Sequence, residues 1–180
     1  MSRLSGVTVT AFECHKDDRG DLKEIFRDTW PTGIKPVQWN WVSSNADALR
    51  GVQVHVQHLD YLMCISGEML LGLSDIRPDS ATKGQSEFIT LREKEARAIT
   101  IPPGVAHGLY FAAPSQILFG FSHHWNKLDE LRCRWNEPEL GLDWPTRAPK
   151  LSPRDEDAGT YQQMVDAYLK RQLVVRHTLS

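Results

Sequence analysis

A row of hydrogen-bonding side chains runs through the middle of the chain. In Leu49-Arg50-Gly51-Val52-Gln53-Val54-His55-Val56-Gln57 apolar and polar residues alternate. A strand would therefore turn Val52, Val54 and Val56 to one face and Gln53, His55 and Gln57 to the other. His55 is the member of that row able to exchange a proton near neutral pH or to bind a metal ion. The next segment, Tyr61-Leu62-Met63-Cys64-Ile65, is nearly all apolar, as in a strand buried on both sides. The two segments together place the polar row against an interior cavity, where function is expected.

Short strands must hold that row in place. Residues 7–13 alternate and run into Lys16-Asp17-Asp18-Arg19-Gly20, a turn signal, before a second strand at 22–26. Residues 36–42 alternate again, with Gln38 and Asn40 on one face, and 43–47 read as a loop. Beyond the central strand, Gly67 separates 61–65 from 69–73 as a tight hairpin. Further strands are expected at 87–91, 97–101, 109–111 and 116–122, with Pro102-Pro103-Gly104-Val105-Ala106-His107 as a turn. Many short strands with almost no helical periodicity before residue 125 predict an all-β antiparallel sandwich or small barrel. Tyr161, Met164, Val165, Tyr168, Leu169 and Leu173 recur at helical spacing, predicting one amphipathic C-terminal helix packed on it. The expectation is a single domain over 1–180, with the barrel at about 7–125 and the tail and helix in 126–180.

Composition narrows the partners. A formal net charge of -2 shows no basic excess, so nucleic acid is not an expected partner. No apolar run suggests a signal peptide or a membrane span. Cys14, Cys64 and Cys133 are odd in number and far apart, and read as free thiols in a reducing cytoplasm.

Five pieces carry a resemblance: Asp17-Asp18-Arg19-Gly20 with Glu24; Val37-Gln38-x-Asn40; Leu49-Arg50-Gly51; Ile101 to Gly108; and Trp135-Asn136-Glu137-Pro138-Glu139-Leu140-Gly141-Leu142-Asp143-Trp144-Pro145 followed by Leu151-Ser152-Pro153-Arg154-Asp155. In this order and spacing the chain resembles the dTDP-4-dehydrorhamnose 3,5-epimerase family over roughly residues 7 to 157. The resemblance implies a cupin, a double-stranded β-helix or jelly-roll barrel. It also implies a homodimer that shares N-terminal strands, a nucleotide-diphosphate-linked 4-keto-6-deoxy sugar as substrate, and no cofactor. Protons beside the ketone would be removed and returned on the opposite face, which needs a base, an enolate stabiliser and an acid.

The family's proton-handling positions carry over unevenly. Asp155 matches the carboxylate that orients the base. The base position itself falls on Gln53 without a gap, and Gln takes no proton; two extra residues bring His55 there, on the same strand face. The family's lysine falls on Asp60, its tyrosine on Phe119, and a second aromatic position on Trp125. The reading taken here has His55 as base, oriented by Asp155, with Gln53 beside it. Arg19, Arg50 and His107 would grip the diphosphate, and Glu24, Gln38, Asn40, Phe119 and Trp125 would line the sugar or base. Tyr110 would replace the lost hydroxyl only if it faces inward. Because Phe119 carries no proton, a departure from full double epimerisation is expected: one centre only, a different isomer, or a very slow reaction. Two other classes stay open. His55-x-Gln57-x2-Asp60-x6-Gly67 and Pro102-x-Gly104-x2-His107 resemble the ligand spacing of metal-binding cupins. Loss of the lysine and tyrosine also suits a protein that binds a nucleotide sugar without turning it over.

Overall fold

The structure, a computed structural model, describes residues 2–178, with side chains through residue 175. Twelve strands occur among them: β1 Thr8–Ala11, β2 Cys14–Asp17, β3 Gly20–Lys23, β4 Gln38–Ser44, β5 Ala48–His55, β6 Asp60–Ser66, β7 Glu68–Asp75, β8 Ser86–Arg92, β9 Arg97–Ile101, β10 Val105–Phe111, β11 Ser115–Phe121 and β12 Glu130–Arg132. A short helix, α1 (Pro153–Glu156), precedes the C-terminal helix α2 (Tyr161–Thr178).

Two five-stranded sheets form, ordered β1-β9-β6-β11-β4 and β12-β5-β10-β7-β8, with β2-β3 as a separate hairpin. Every strand pairing is antiparallel. Leu62, Ile99, Ile117 and Phe119 of the first sheet meet Leu71, Leu73, Leu91 and Phe111 of the second in one apolar core. The result is the all-β cupin barrel with its C-terminal helix.

The outer face of the second sheet is covered too. Val52, Val54 and Leu131 pack with Trp144, Met164 and Tyr168 from the tail and α2. The valines of β5 thus point out of the barrel into this layer, which frees Gln53 and His55 to point in. Met164 and Tyr168 lie one helical turn apart on the buried stripe of α2, as the spacing predicts. Leu173 departs from that stripe and is 59% exposed.

Other elements differ from the sequence pattern in specific ways. β4 continues through Ser43 and Ser44, read above as loop, because they pair with Gln116 and Ser115 of β11. β10 begins at Val105, paired with Asp75, so the Pro-rich turn takes only 102–104. Among the described residues no helix is long and apolar enough to cross a membrane.

Candidate active site

A β-bulge sets the floor of the site. His107 pairs with Gln53 and Leu109 with Arg50, so Gly108 of β10 faces both Gly51 and Val52 of β5. Gly51 has φ +101°, and a Cβ there would lie 2.8 Å from the His107 carbonyl oxygen. Only glycine fits. Past the bulge, Gln53 and His55 line a partly open cavity of 670 Å³.

Of the residues expected at the site, Asn40, Arg50, Gln53, His55, Phe119, Trp125 and Asp155 line this cavity. Gln38 stands directly behind: its amide donates to Asn40 Oδ1 at 3.0 Å and accepts from the Trp125 backbone N–H at 2.9 Å. His107 is fully buried under the floor.

Others fall elsewhere. Arg19 lies beside the β2–β3 turn and bonds Asp17, and Glu24 bonds Arg27; neither lines the cavity. Gln57 is exposed, because β5 ends at His55 and the chain turns away before completing the inward row. Tyr110 packs outward in the layer under α2, its hydroxyl donating to Asp47, so it does not stand in for a phenol at Phe119.

The expected pairing of His55 with Asp155 is not formed. Asp155 is the third residue of α1, where its backbone N–H and Ser152 Oγ bond each other and its carboxylate accepts from that hydroxyl at 2.7 Å. Its other oxygen accepts from Arg132. Arg132 sits opposite Gln53 in the β12–β5 ladder and also donates to Gln53 Oε1 at 2.9 Å and to Glu130 Oε1 at 2.5 Å. A guanidinium therefore occupies the space between the family's base position and its carboxylate.

Arg132 and Glu130 escaped the sequence reading. Their signal was the strict alternation Glu130-Leu131-Arg132-Cys133-Arg134, too short to stand out as a strand. Glu130 also accepts from Trp125 Nε1 at 3.1 Å and pairs with Arg154 at 2.7 Å. Burial would raise its carboxyl, but Arg132 and Trp125 outweigh burial and hold it below the ordinary range. Arg154 in turn lies over the Trp125 ring. Arg50 and Lys150 reach the cavity wall and, among the described residues, bond only neutral oxygens: Arg50 bonds Ser44 Oγ and the Ser43 carbonyl, and Lys150 the Ala46 carbonyl.

Behind His55 lies a buried polar cluster. Asp60 Oδ2 is 3.2 Å from His55 Nε2 and 3.1 Å from His107 Nε2, and Oδ1 is 3.3 Å from His58 Nε2. His58 Nδ1 meets Asp129 Oδ2 at 2.7 Å. Burial opposes charge on His58, yet Asp129 and Asp60 outweigh it and push its pKa up to about 9, making it a cation. Burial dominates at His55 and lowers its pKa, so that ring is neutral. His55 is the one cavity-lining imidazole among the described residues. Its neutral ring can accept a proton, and Asp60, not Asp155, is the carboxylate beside it.

Comparison with known proteins places this arrangement. A family model described as dTDP-4-dehydrorhamnose 3,5-epimerase matches residues 1–163. The spore coat polysaccharide biosynthesis protein SpsL of Bacillus subtilis (strain 168) is 29% identical over 147 residues, covering 79% of this chain and 97% of that protein. The dTDP-4-dehydrorhamnose 3,5-epimerase of Mycobacterium tuberculosis (strain ATCC 25618 / H37Rv) is 31% identical over 162 residues, covering 83% and 80%. The crystal structure of NovW, described as a 4-keto-6-deoxy sugar epimerase from the novobiocin biosynthetic gene cluster of Streptomyces spheroides, superposes with a TM-score of 0.85 at 26% identity. It covers 94% of this chain and 89% of that one.

Proposed function

The chain belongs to the dTDP-4-dehydrorhamnose 3,5-epimerase family, and from that premise we propose that it is a nucleotide-sugar epimerase or isomerase acting on a nucleotide-diphosphate-linked 4-keto-6-deoxy sugar. The observation that carries this reading is the charge of the cavity wall. Arg50 and Lys150 reach it without a carboxylate partner among the described residues. Two unneutralised cations at the rim suit a diphosphate, and the half-exposed Trp125 ring offers a flat surface for a sugar or base.

In this proposal His55 removes a proton next to the ketone, with Asp60 beside its ring. Gln53 and Asp155, joined through Arg132, position the sugar, while Asn40, Gln38 and Phe119 shape its pocket. His107 supports the floor from beneath. Phe119 supplies no proton, so one centre is epimerised and the second is not. Arg19 and Glu24 enter through assembly. They lie away from their own chain's cavity, next to the exposed Leu22, and β4 is an edge strand that exposes Trp41, with Val37 exposed just before it. These features support a homodimer in which the β2–β3 hairpin of one protomer completes the cavity of its partner. Light scattering on the purified chain, with Trp41→Glu expected to give monomers, checks this. Cys14, Cys64 and Cys133 are all unpaired, which fits a cytoplasmic setting.

Proton NMR in deuterated water tests the chemistry. A nucleotide-linked 4-keto-6-deoxy sugar is expected to gain deuterium at one carbon beside the ketone with the wild-type chain. With His55→Ala it gains none, while nucleotide diphosphate still binds. Undiminished exchange in His55→Ala would remove His55 from the mechanism.

A further inference from the structure

Asp60 is 1% exposed, yet neither carboxylate oxygen receives a well-directed hydrogen bond. Buried carboxylates normally gather donors, so the atoms facing this one call for an account. His107 fixes its own protonation. Its Nδ1 lies 3.1 Å from the Val105 carbonyl oxygen, which can only accept, so Nδ1 carries a hydrogen, and in that tautomer the lone pair is at Nε2. Gln53 agrees with that assignment. Its Oε1 is committed to Arg132, which leaves its NH2 facing His107 Nε2 at 3.3 Å and His55 Nε2 at 3.4 Å.

Acceptor atoms therefore converge: Asp60 Oδ2 with His107 Nε2 at 3.1 Å and His55 Nε2 at 3.2 Å. Without a proton between them these atoms repel one another, and a cation held among them would relieve that repulsion. Around a first-row ion with bonds of roughly 2.1 Å, neighbouring ligand atoms stand about 3.0–3.4 Å apart, the spacing of this cluster. The surroundings also suit an ion. His107 donates its far nitrogen to a carbonyl, and Asp60 is backed by His58, itself held by Asp129. His55 lines the cavity, which provides an entry path.

We propose that His55, Asp60 and His107 form a binding site for one divalent first-row transition-metal ion at the cavity floor, with Gln53 standing over it. Two imidazoles and one carboxylate are a ligand set such ions accept, leaving positions open toward the cavity. Gln57, whose spacing first suggested it as a ligand, is exposed and takes no part. This inference rests on the reading above in one respect. The His55 Nε2 lone pair that would hold the ion is also the one that would take the sugar's proton. Metal and proton compete for it, and loading the site stops epimerisation.

The test uses the full chain, freed of metal with a chelator and titrated with Co²⁺ alone, followed by visible absorption and calorimetry. One ion per chain is expected. Affinity should fall by roughly 100-fold or more in both Asp60→Asn and His107→Gln, and by about tenfold in Asp129→Asn, which removes only outer support. Two substitutions of the ligand set keep the test valid if one variant fails to fold. No uptake by the wild-type chain, or equal uptake by both ligand variants, overturns the site. Deuterium exchange is measured on the same samples. Co²⁺ binding with undiminished exchange keeps the ion and withdraws His55 as base; exchange lost in His55→Ala without any Co²⁺ uptake keeps the epimerase and withdraws the ion.

Discussion

Two carboxylates lie at the ends of neighbouring strands in the sequence, both essentially without solvent contact, and they are held in opposite ways. Asp75, at the end of β7, accepts from the Arg77 backbone N–H and Nε at 3.1 and 2.8 Å, from Arg77 Nη2 at 2.6 Å, from Ser80 at 2.5 Å and from Thr82 at 2.7 Å. Asp60, at the start of β6, is ringed by imidazoles and receives no well-directed donor. A saturated carboxylate locks a loop. One left short of donors in a buried site keeps its valence for something else, and that contrast separates scaffold from chemistry in this molecule.

The contrast can be tested from both sides. Asp75→Asn leaves the partly buried Arg77 guanidinium without its counter-charge and should cost about 3 kcal/mol in urea unfolding, with nucleotide binding intact. Asp60→Asn should shift stability by no more than about 1 kcal/mol while deuterium exchange into the sugar falls at least about 100-fold. If Asp60→Asn proves the more destabilising of the two, the distinction fails. Acid provides a gentler probe. Burial would raise the Asp75 carboxyl, but Arg77, Ser80 and Thr82 outweigh it and lower it to about 2. Its value in the unfolded chain is about 3.9. Its stabilisation is therefore complete above about pH 4 and disappears as pH falls toward 2, a loss of roughly 2 kcal/mol. Asp75→Asn should flatten that acid slope in thermal melts. The smallest effect belongs to the cavity rim: Arg50→Ala should raise KM about tenfold with kcat retained, as expected for a group that holds the diphosphate alone.

Much of the scaffold could be read in the residue pattern, because its physics is local. Alternation in 49–56 and the apolar run at 61–65 reveal which strands are half-buried and which are wholly buried, and Met164 with Tyr168 reveals the covered stripe of α2. The site was less readable, for reasons that individual residues make plain. Strand β12 is three residues long, below the length at which alternation speaks, so Glu130 and Arg132 stayed hidden although they pair directly with His55 and Gln53. Asp155 was recognised by its motif, but its partner depends on a side chain arriving from β12, which no local pattern contains. The inward row stops at His55 because β5 ends there, and the polar residues that follow it into the interior are His58 and Asp60, across a bend that alternation does not track.

The bulge at Gly51 separates two jobs along a single strand. Arg50 lies before it, on the wall suited to phosphate; Gln53 and His55 lie after it, where a proton or an ion is handled. Because the extra residue absorbs one step of the ladder, the hinge-like pair Gly51 and Val52 decides which side of the sheet every later side chain of β5 faces. Deleting a single residue there would deliver valines to the sugar and an imidazole to the greasy layer beneath α2. The binding edge and the reacting floor can thus drift in sequence independently, provided this one step of backbone stays in count.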